Sequence, residues 1–597
     1  MEQLPQKKKP IINCHTHIFT GDHVPPYLAK TFLPAPLHKL LSLAWVVRGF
    51  RFYYRRIAPL HFRSWSKNSR ERIYQVRIFI ARNPLVKLLA FVLAVWLTVH
   101  VFFILFDWIT MVVAPDSKAA GYVKDARTWL EERNLLFIPG STWLKLGMVV
   151  IVMLFVKTGR NLILFVFKKL WGFLRLLPGP QTKELLKRYI NIGRFSFHVE
   201  QSENYKRLRN QYPDDTGFIV LPMDMEYMGA GPLKKGYRYR DQMAALATIK
   251  KNSSYSHRFF PFVFADPRRM RAEPDYFAYT LDQDRKVVLK DCFVRQYIEE
   301  HRFSGFKIYP ALGYYPFDYT LLPLWKYAAD NGLPLLTHCI RGNIFYRGAK
   351  TKEWDYHPIF QQAAGKGEYG RLLLPEMKNI DFINNFTHPL NYLCLVEEEI
   401  LRKWVAKGSP EIRQLFGYTD EQTKLGSDLS QLKICFGHFG GEDEWKRFME
   451  FDRDNHSSQL IKKPHKGVDF LYNEKGEAIP GKIEQLWRDA DWYTIIASMM
   501  LQYDNLYGDL SYILHDPEIL PLLYRTLQNK KLRERTLFGT DFYVVRNHKS
   551  EKQMLAEMQS LLSEPDFDCI ARGNPVNYLR NSLPPKPGKT GAAGVTE

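Results

Sequence analysis

A (β/α)8 barrel of the α/β class (a TIM barrel), carrying a two-helix transmembrane hairpin after its first strand, is the fold this sequence predicts, on three observations. Eight short apolar runs are each followed by polar residues and then by a stretch of helical periodicity, the rhythm of βα units in a parallel sheet. Four of these runs end in histidine or aspartate, at the carboxyl ends where a barrel gathers its functional loops. Between the first and second runs lies Leu88 to Phe106, nineteen residues without Asp, Glu, Lys or Arg.

In chain order the runs are Pro10 to Phe19, Gly217 to Met225, Phe259 to Asp266, Phe303 to Pro310, Leu333 to Cys339, Gln431 to Gly440, Asn505 to Tyr512 and Arg535 to Tyr543. Eight is the number that closes such a barrel. The first run contains Cys14-His15-Thr16-His17, and the two-residue period of a strand turns His15 and His17 to one face, with Cys14 and Thr16 opposite. The first helix of the barrel is expected around Ser196 to Asn210. The fifth, sixth and eighth runs carry His338, His438 and Asp541 near their ends.

Residues 21–190 are expected to form a membrane-associated insertion. At ~1.5 Å rise per residue Leu88 to Phe106 matches the thickness of the hydrocarbon core, which places one transmembrane helix near 88–110. The second segment is weaker. Leu146 to Val156 is only eleven apolar residues, extendable through Trp143 and Leu144 past a snorkelling Lys145 to a span near 143–167. Strand 1 must pair in one sheet with strands that follow the insertion, so the number of crossings must be even, and one span calls for a second. Arg48 to Lys87 holds eleven Lys or Arg against Glu71, and Lys157 to Arg188 eight against Glu184. The connection from Asp107 to Arg133 has five acids and four bases. The positive-inside rule then places both ends of the hairpin, and the barrel, on the cytoplasmic side of an inner membrane. Asn161 to Leu177, with Lys168, Lys169 and Arg175 among Phe, Trp and Leu, suits a helix on the inner leaflet.

A net charge of +22 ordinarily raises nucleic acid as a partner, because clustered Lys and Arg neutralise phosphates. Here the excess flanks apolar segments, so membrane topology accounts for it and no nucleic acid is expected. The six cysteines show no CxxC pair, which points to free thiols in a reducing compartment rather than a disulfide scaffold. The first residues, MEQLPQKKKP, contain no apolar run of signal-peptide length, so no secretory signal is expected. Residues 191–582 make up the rest of the barrel, with a lid-like insertion at 341–430, and 583–597 is a Pro- and Gly-rich tail expected to be disordered.

Two imidazoles on one strand face can grip one metal. A lone buried histidine is more often a hydrogen-bonded core residue. Four histidines on three strand ends, with an aspartate on a fourth, would leave many unmet hydrogen bonds if they were packed in the core.

His15-Thr16-His17, His338, His438 and Gly539-Thr540-Asp541, with Arg572-Gly573-Asn574-Pro575 near the C-terminus, resemble the amidohydrolase superfamily. The likeness is greatest to its amidohydrolase-related branch, which includes amino-carboxymuconate-semialdehyde decarboxylase and resorcylate decarboxylases. It covers residues 10–20 and roughly 195–580 and leaves the hairpin unmatched. The resemblance implies one divalent ion, usually Zn2+, held by His15, His17, His338 and Asp541, with a position left for water. Three nitrogens, an oxygen and an open site suit catalytic zinc. It also implies that Asp541 takes the proton of that water and that His438 hydrogen-bonds the water or a substrate oxygen. Lys307 stays open among three roles: carboxylation to bridge a second metal, contact with a substrate carboxylate, or a structural ion pair. Asp224, Arg341 and His388 are candidate substrate contacts, as are Asp266 and Asp509, although turn and capping roles explain the aspartates, and helix capping or packing His388, equally well.

The expected activity is that of a membrane-anchored hydrolase acting on an amide, ester or lactone of a small molecule. Non-oxidative decarboxylation is the alternative, with Lys307 or Arg341 holding a carboxylate. An inactive membrane-bound binding protein would have no chemical reason to keep all five groups. The insertion leaves and returns on the active-site face, so an amphiphilic substrate reached from the inner leaflet is a further expectation, set against simple tethering.

Overall fold

The structure is a computed structural model. It describes residues 8–25, 82–113, 118–138, 140–155, 200–342, 346–365, 368–375, 384–450, 456–472, 481–544 and 548–580, with isolated positions at 49, 52, 74–76, 78, 79, 161, 162, 165 and 344. The chain divides into two compact units, Met1–Arg51 with Lys187–Glu597, and Phe52–Leu186.

In the larger unit each of the eight apolar runs contains a strand. They are β1 (Ile12–Thr16), β2 (Gly217–Val220), β3 (Phe259–Pro261, resumed at Val263–Phe264), β4 (Phe306–Ile308), β5 (Leu335–Ile340), β6 (Ile434–Gly440), β7 (Leu506–Asp509) and β8 (Thr536–Leu537). All pair in parallel with their sequence neighbours, β3 reaching β2 through its first segment and β4 through its second. The barrel closes where β1 meets the chain after β8. There Cys14 N–H donates to Phe538 O at 2.9 Å, Asp541 N–H donates to His15 O at 2.8 Å, and Thr16 bridges Phe542.

Alternation along the strands sorts side chains into two layers. Ile12, Cys14, Ile219, Leu221, Phe260, Phe262, Leu336, Cys435, Tyr507 and Leu537 fill the barrel interior, joined by Tyr578 and Leu579 of the C-terminal segment. Phe218, Val220, Phe259, Phe306, Leu335, Ile434 and Phe436 pack outward with the helices. Tyr578 donates from its hydroxyl to Leu335 O at 3.0 Å, at the start of β5, so Tyr578 and Leu579 plug the amino end of the barrel. The helix Trp492–Gln502 behind β6 is buried on every face, as its all-round apolar sequence requires, and Asp491 caps it by accepting from Thr494 N–H at 2.6 Å. The first barrel helix is described over Gln201–Arg209. Residues 341–430 are not an open loop: they contain an antiparallel hairpin, Tyr356–Gly365 with Glu368–Leu373, and the helices Glu398–Ala406 and Pro410–Phe416.

The smaller unit contains the helices Pro84–Val113, Lys118–Glu132 and Thr142–Phe155. Among the described residues one helix is long and apolar enough to cross a membrane, Pro84–Ile109, at a mean hydropathy of 2.6; the apolar helix Thr142–Met153 is shorter. At ~1.5 Å per residue the second helix, as far as it is described, falls short of the hydrocarbon thickness. The expected continuation past Phe155, nearly all of Asn161 to Leu177, and the 583–597 tail lie outside the described residues. Val101, Ile104 and Val149 are buried together against Trp108, Ile138, Met148, Val152 and Met153. His100 joins this packing by donating from Nδ1 to Trp96 O at 2.7 Å and accepting Phe137 N–H at Nε2, 3.0 Å away.

Candidate metal centre

His15 on β1 and His17 just past its end are both buried, with their rings edge to face at 5.2 Å between centroids. Zipping of β1 to the chain beyond β8 brings Asp541 beside them, its Oδ1 lying 3.3 Å from His17 Nε2 and 3.8 Å from His15 Nε2. Asp541 reaches this position through a left-handed backbone, φ 60°. Gly539, two residues before it, is closely packed: a Cβ there would stand 3.0 Å from His15 Cβ and 3.1 Å from Ser511 Cβ, so either neighbour would have to give way. Gly437 on β6 makes room likewise: its Cβ would stand 2.6 Å from Thr337 O and 3.1 Å from His15 Cε1.

His338 stacks on Tyr309, 3.9 Å between centroids and 13° from parallel, and its Nδ1 lies 3.1 Å from His438 Nε2. The His438 ring stands 4.6 Å from that of His15 and 4.9 Å from that of His338. The expected ligands are therefore in one neighbourhood but not all in one cluster. His15, His17 and Asp541 each offer a ligand atom within 4.8 Å of the others, whereas His338 lies beside His438 instead.

The outer nitrogens are tied down by the protein. His17 Nδ1 donates to Leu221 O at 2.9 Å, and His15 Nδ1 to Asp509 Oδ2 at 2.9 Å. This leaves Nε2 as the inward-facing atom of both rings, the arrangement by which outer partners orient metal-binding imidazoles. His15 Nε2, His338 Nε2 and Lys307 Nζ are buried with no hydrogen-bond partner among the described residues. Such groups cost about 1–3 kcal/mol each when left unmet, against a net domain stability of about 5–15 kcal/mol. Two imidazole lone pairs and a carboxylate converging in one buried space are the complement of a divalent cation. The residues fit the metal that the resemblance implies.

Burial pushes His15, His338 and His438 well below the usual imidazole value, with neighbouring histidines and Lys307 adding to the effect, so these rings are neutral and their lone pairs available. Burial raises Asp541 above the usual carboxylate value, with His17 and Lys307 pulling the other way. Lys307 is held down to about 8 by burial, opposed by Asp509 and Asp541.

The remaining sequence candidates are engaged elsewhere. Both oxygens of Asp224 meet Arg269, at 2.6 Å from Nε and 3.1 Å from Nη2. Arg341 pairs with Glu444 at 3.1 Å and lies over the Trp492 ring. His388 accepts Leu390 N–H at 3.3 Å as a helix cap and stacks on Trp487 at 3.9 Å. Asp266 caps the helix Pro267–Ala272 and holds Arg268. Asp509, read from the sequence as a substrate contact or a turn residue, hydrogen-bonds His15 instead. Two residues beside the site were not anticipated. Ser511 follows Asp509 by two residues, the strand period that could have marked it, and nothing in the sequence distinguishes Tyr309 from the other tyrosines. A cavity of about 590 Å³, lined by Lys326, Gly332, Lys433 and Asn505 among others, lies at the amino ends of β5 to β7, away from these residues.

No family model matches the chain, and no curated protein matches it. Among solved structures it is similar to a dihydroxybenzoic acid decarboxylase from Polaromonas sp. JS666 with bound manganese, at 13% identity over 68% of this chain and 91% of that one, TM-score 0.34. It is similar to an amidohydrolase from Burkholderia multivorans with bound zinc, at 10% identity over 66% and 92%, TM-score 0.30. A third is 4-oxalomesaconate hydratase from Rhodopseudomonas palustris, at 9% identity over 64% and 80%, TM-score 0.29.

Proposed function

We propose that this protein is a membrane-anchored, metal-dependent hydrolase of the amidohydrolase superfamily that cleaves an amide, ester or lactone bond in a small molecule. The observation that carries this proposal is the convergence of His15, His17 and Asp541 at one barrel end, with the partnerless Nε2 atoms of His15 and His338 beside them. His15, His17, His338 and Asp541 would hold one divalent ion, zinc by the softness and number of the donors. When bound, such an ion supplies Lewis acidity, making water a nucleophile near neutral pH and polarising the scissile carbonyl. Asp541 takes the proton of the attacking water on its carboxylate, a task suited to a carboxylate raised by burial. His438 faces the same space and is the second group placed to handle the substrate oxygen.

Decarboxylation is the second reading, favoured by Lys307. Its Nζ is buried without a hydrogen-bond partner and within electrostatic reach of Asp541, which suits a substrate carboxylate. A screen of detergent-purified, zinc-loaded protein over ester, amide, lactone and carboxylic acid substrates separates the two, because only decarboxylation releases carbon dioxide. Absence of both activities from a protein that binds metal would reject the enzymatic reading.

Anchoring is supported by the apolar helix Pro84–Ile109 and by the exposed Leu85, Leu88, Phe91 and Phe102 along it. Pairing of β1 with β2 across the insertion supports an even number of crossings, and the basic flanks support a cytoplasmic barrel at the inner membrane. A cysteine introduced near Lys124 should react with a membrane-impermeant thiol reagent in intact cells, and one near Lys530 should not. The reverse pattern would overturn this orientation.

A further inference from the structure

We propose that Asp509, acting with Ser511, is the positioning group of the centre: one carboxylate that sets which nitrogen of His15 and His438 carries the proton and so turns their Nε2 lone pairs inward. The use of those lone pairs rests on the metal reading above; the proton positions do not.

Asp509 ends β7 and is fully buried. Its Oδ2 lies 2.9 Å from His15 Nδ1 and 3.8 Å from the Cys435 thiol. Its Oδ1 receives the backbone N–H of His438 and that of Ser511, each at 3.0 Å, and the Ser511 hydroxyl. A carboxylate only accepts, so every neighbour donates. His15 therefore holds its proton on Nδ1, and its lone pair sits on the partnerless Nε2. With its one proton on Asp509 Oδ1, the Ser511 hydroxyl has only lone pairs to offer His438 Nδ1 at 2.9 Å and His15 Nδ1 at 3.0 Å, so both nitrogens donate to it; the Ser511 carbonyl, 3.2 Å from His438 Nδ1, accepts as well. The lone pair of His438 is then on Nε2, where it accepts the Nδ1 proton of His338 at 3.1 Å. The lone pair of His338 falls in turn on its own partnerless Nε2. One run of donors thus orders three rings and leaves two of their inward nitrogens open.

The same carboxylate steadies the backbone. His438 has φ 65°, in the left-handed region that β-carbon sterics disfavour, and its N–H bond to Asp509 Oδ1 holds it there. His15, His438 and Asp509 also offer ligand atoms close enough to surround an ion themselves. Two backbone N–H groups and a hydroxyl already aim protons at Oδ1, which makes Asp509 an acceptor for the histidines rather than a ligand.

The test is 15N–1H spectroscopy of the histidine side chains in full-length, detergent-purified protein, metal-free and titrated with zinc. The metal-free wild type should show Nδ1–H on His15, His338 and His438. Asp509→Asn should move the His15 proton to Nε2 and weaken zinc binding about 10- to 100-fold, the usual effect of losing an outer partner of a metal ligand. Ser511→Ala should shift the His438 Nδ1–H resonance and weaken zinc binding less, and Ser511→Thr, which keeps the hydroxyl, should restore both. An Nε2–H tautomer of His15 in the wild type would overturn the proposal. So would unchanged tautomers and zinc affinity in Asp509→Asn. If that variant does not fold, the wild-type spectrum and Ser511→Ala decide. A wild type that carries the Nδ1 protons but binds no zinc supports the positioning role and rejects the metal reading.

Discussion

His357 and His388, in the segment between β5 and β6, are buried as deeply as His15, His338 and His438 at the strand ends, and burial lowers all five below the usual imidazole value, His357 to about 3. What separates the two groups is where their nitrogens go. His357 donates from Nε2 to Asn391 Oδ1 at 3.0 Å and accepts Ile359 and Phe360 N–H at Nδ1, while its ring stacks on Phe360 at 4.1 Å. His388 accepts Leu390 N–H at Nδ1 and lies between indole rings, Trp487 stacked and Trp492 edge-on. Only at the strand ends do two imidazole Nε2 atoms face one carboxylate, His17 at 3.3 Å and His15 at 3.8 Å from Asp541 Oδ1. Burial and a lowered imidazole value are common to both groups; convergence on Asp541 is found only at the strand ends, at His15 and His17.

The carboxylates allow the sharpest test of that contrast. Asp541→Asn keeps the shape of the side chain and removes its capacity to take a proton, so turnover should fall by about 10²- to 10⁴-fold with the circular dichroism spectrum unchanged. Near-normal turnover would take Asp541 out of the proton-accepting role. Asp224 is the counter-case, a buried carboxylate committed to an ion pair. Arg269→Ala should strand it and lower the unfolding free energy by about 3–5 kcal/mol, read by urea titration, while the folded fraction retains its zinc. Loss of zinc from that folded fraction would tie the Asp224 pair to the site. The smallest effect is expected at His388→Ala, which removes a cap and an aromatic stack worth about 1–2 kcal/mol and should leave metal content unchanged. Metal loss there would erase the distinction between the two histidine groups.

Strand positions could be read from the sequence because a parallel barrel buries its strands on both sides, and runs such as Phe218-Ile219-Val220 carry that burial in plain composition. Six of the eight runs overshoot their strands at the carboxyl end, the fifth and sixth being the exceptions. Arg535 to Tyr543 contains only Thr536–Leu537 as strand, because the chain then leaves extended geometry to turn Asp541 inward. That His15, His17 and Asp541 sit at strand ends followed from the runs and the strand period, while their grouping about one ion was implied by the resemblance. The partners of the other candidates did not, because they are set by tertiary approach: Arg269 lies 45 residues from Asp224, and Asp509 lies 494 from His15. A strand-end aspartate looks the same in sequence whether it holds an arginine, caps a helix or orients a histidine.

Metal content measures directly whether the strand-end histidines and Asp541 hold a divalent ion. Elemental analysis of detergent-purified wild type should give one divalent ion per chain, and the His15→Ala, His17→Ala double variant, folded by circular dichroism, should contain almost none. Stoichiometric metal retained in the double variant would contradict the account.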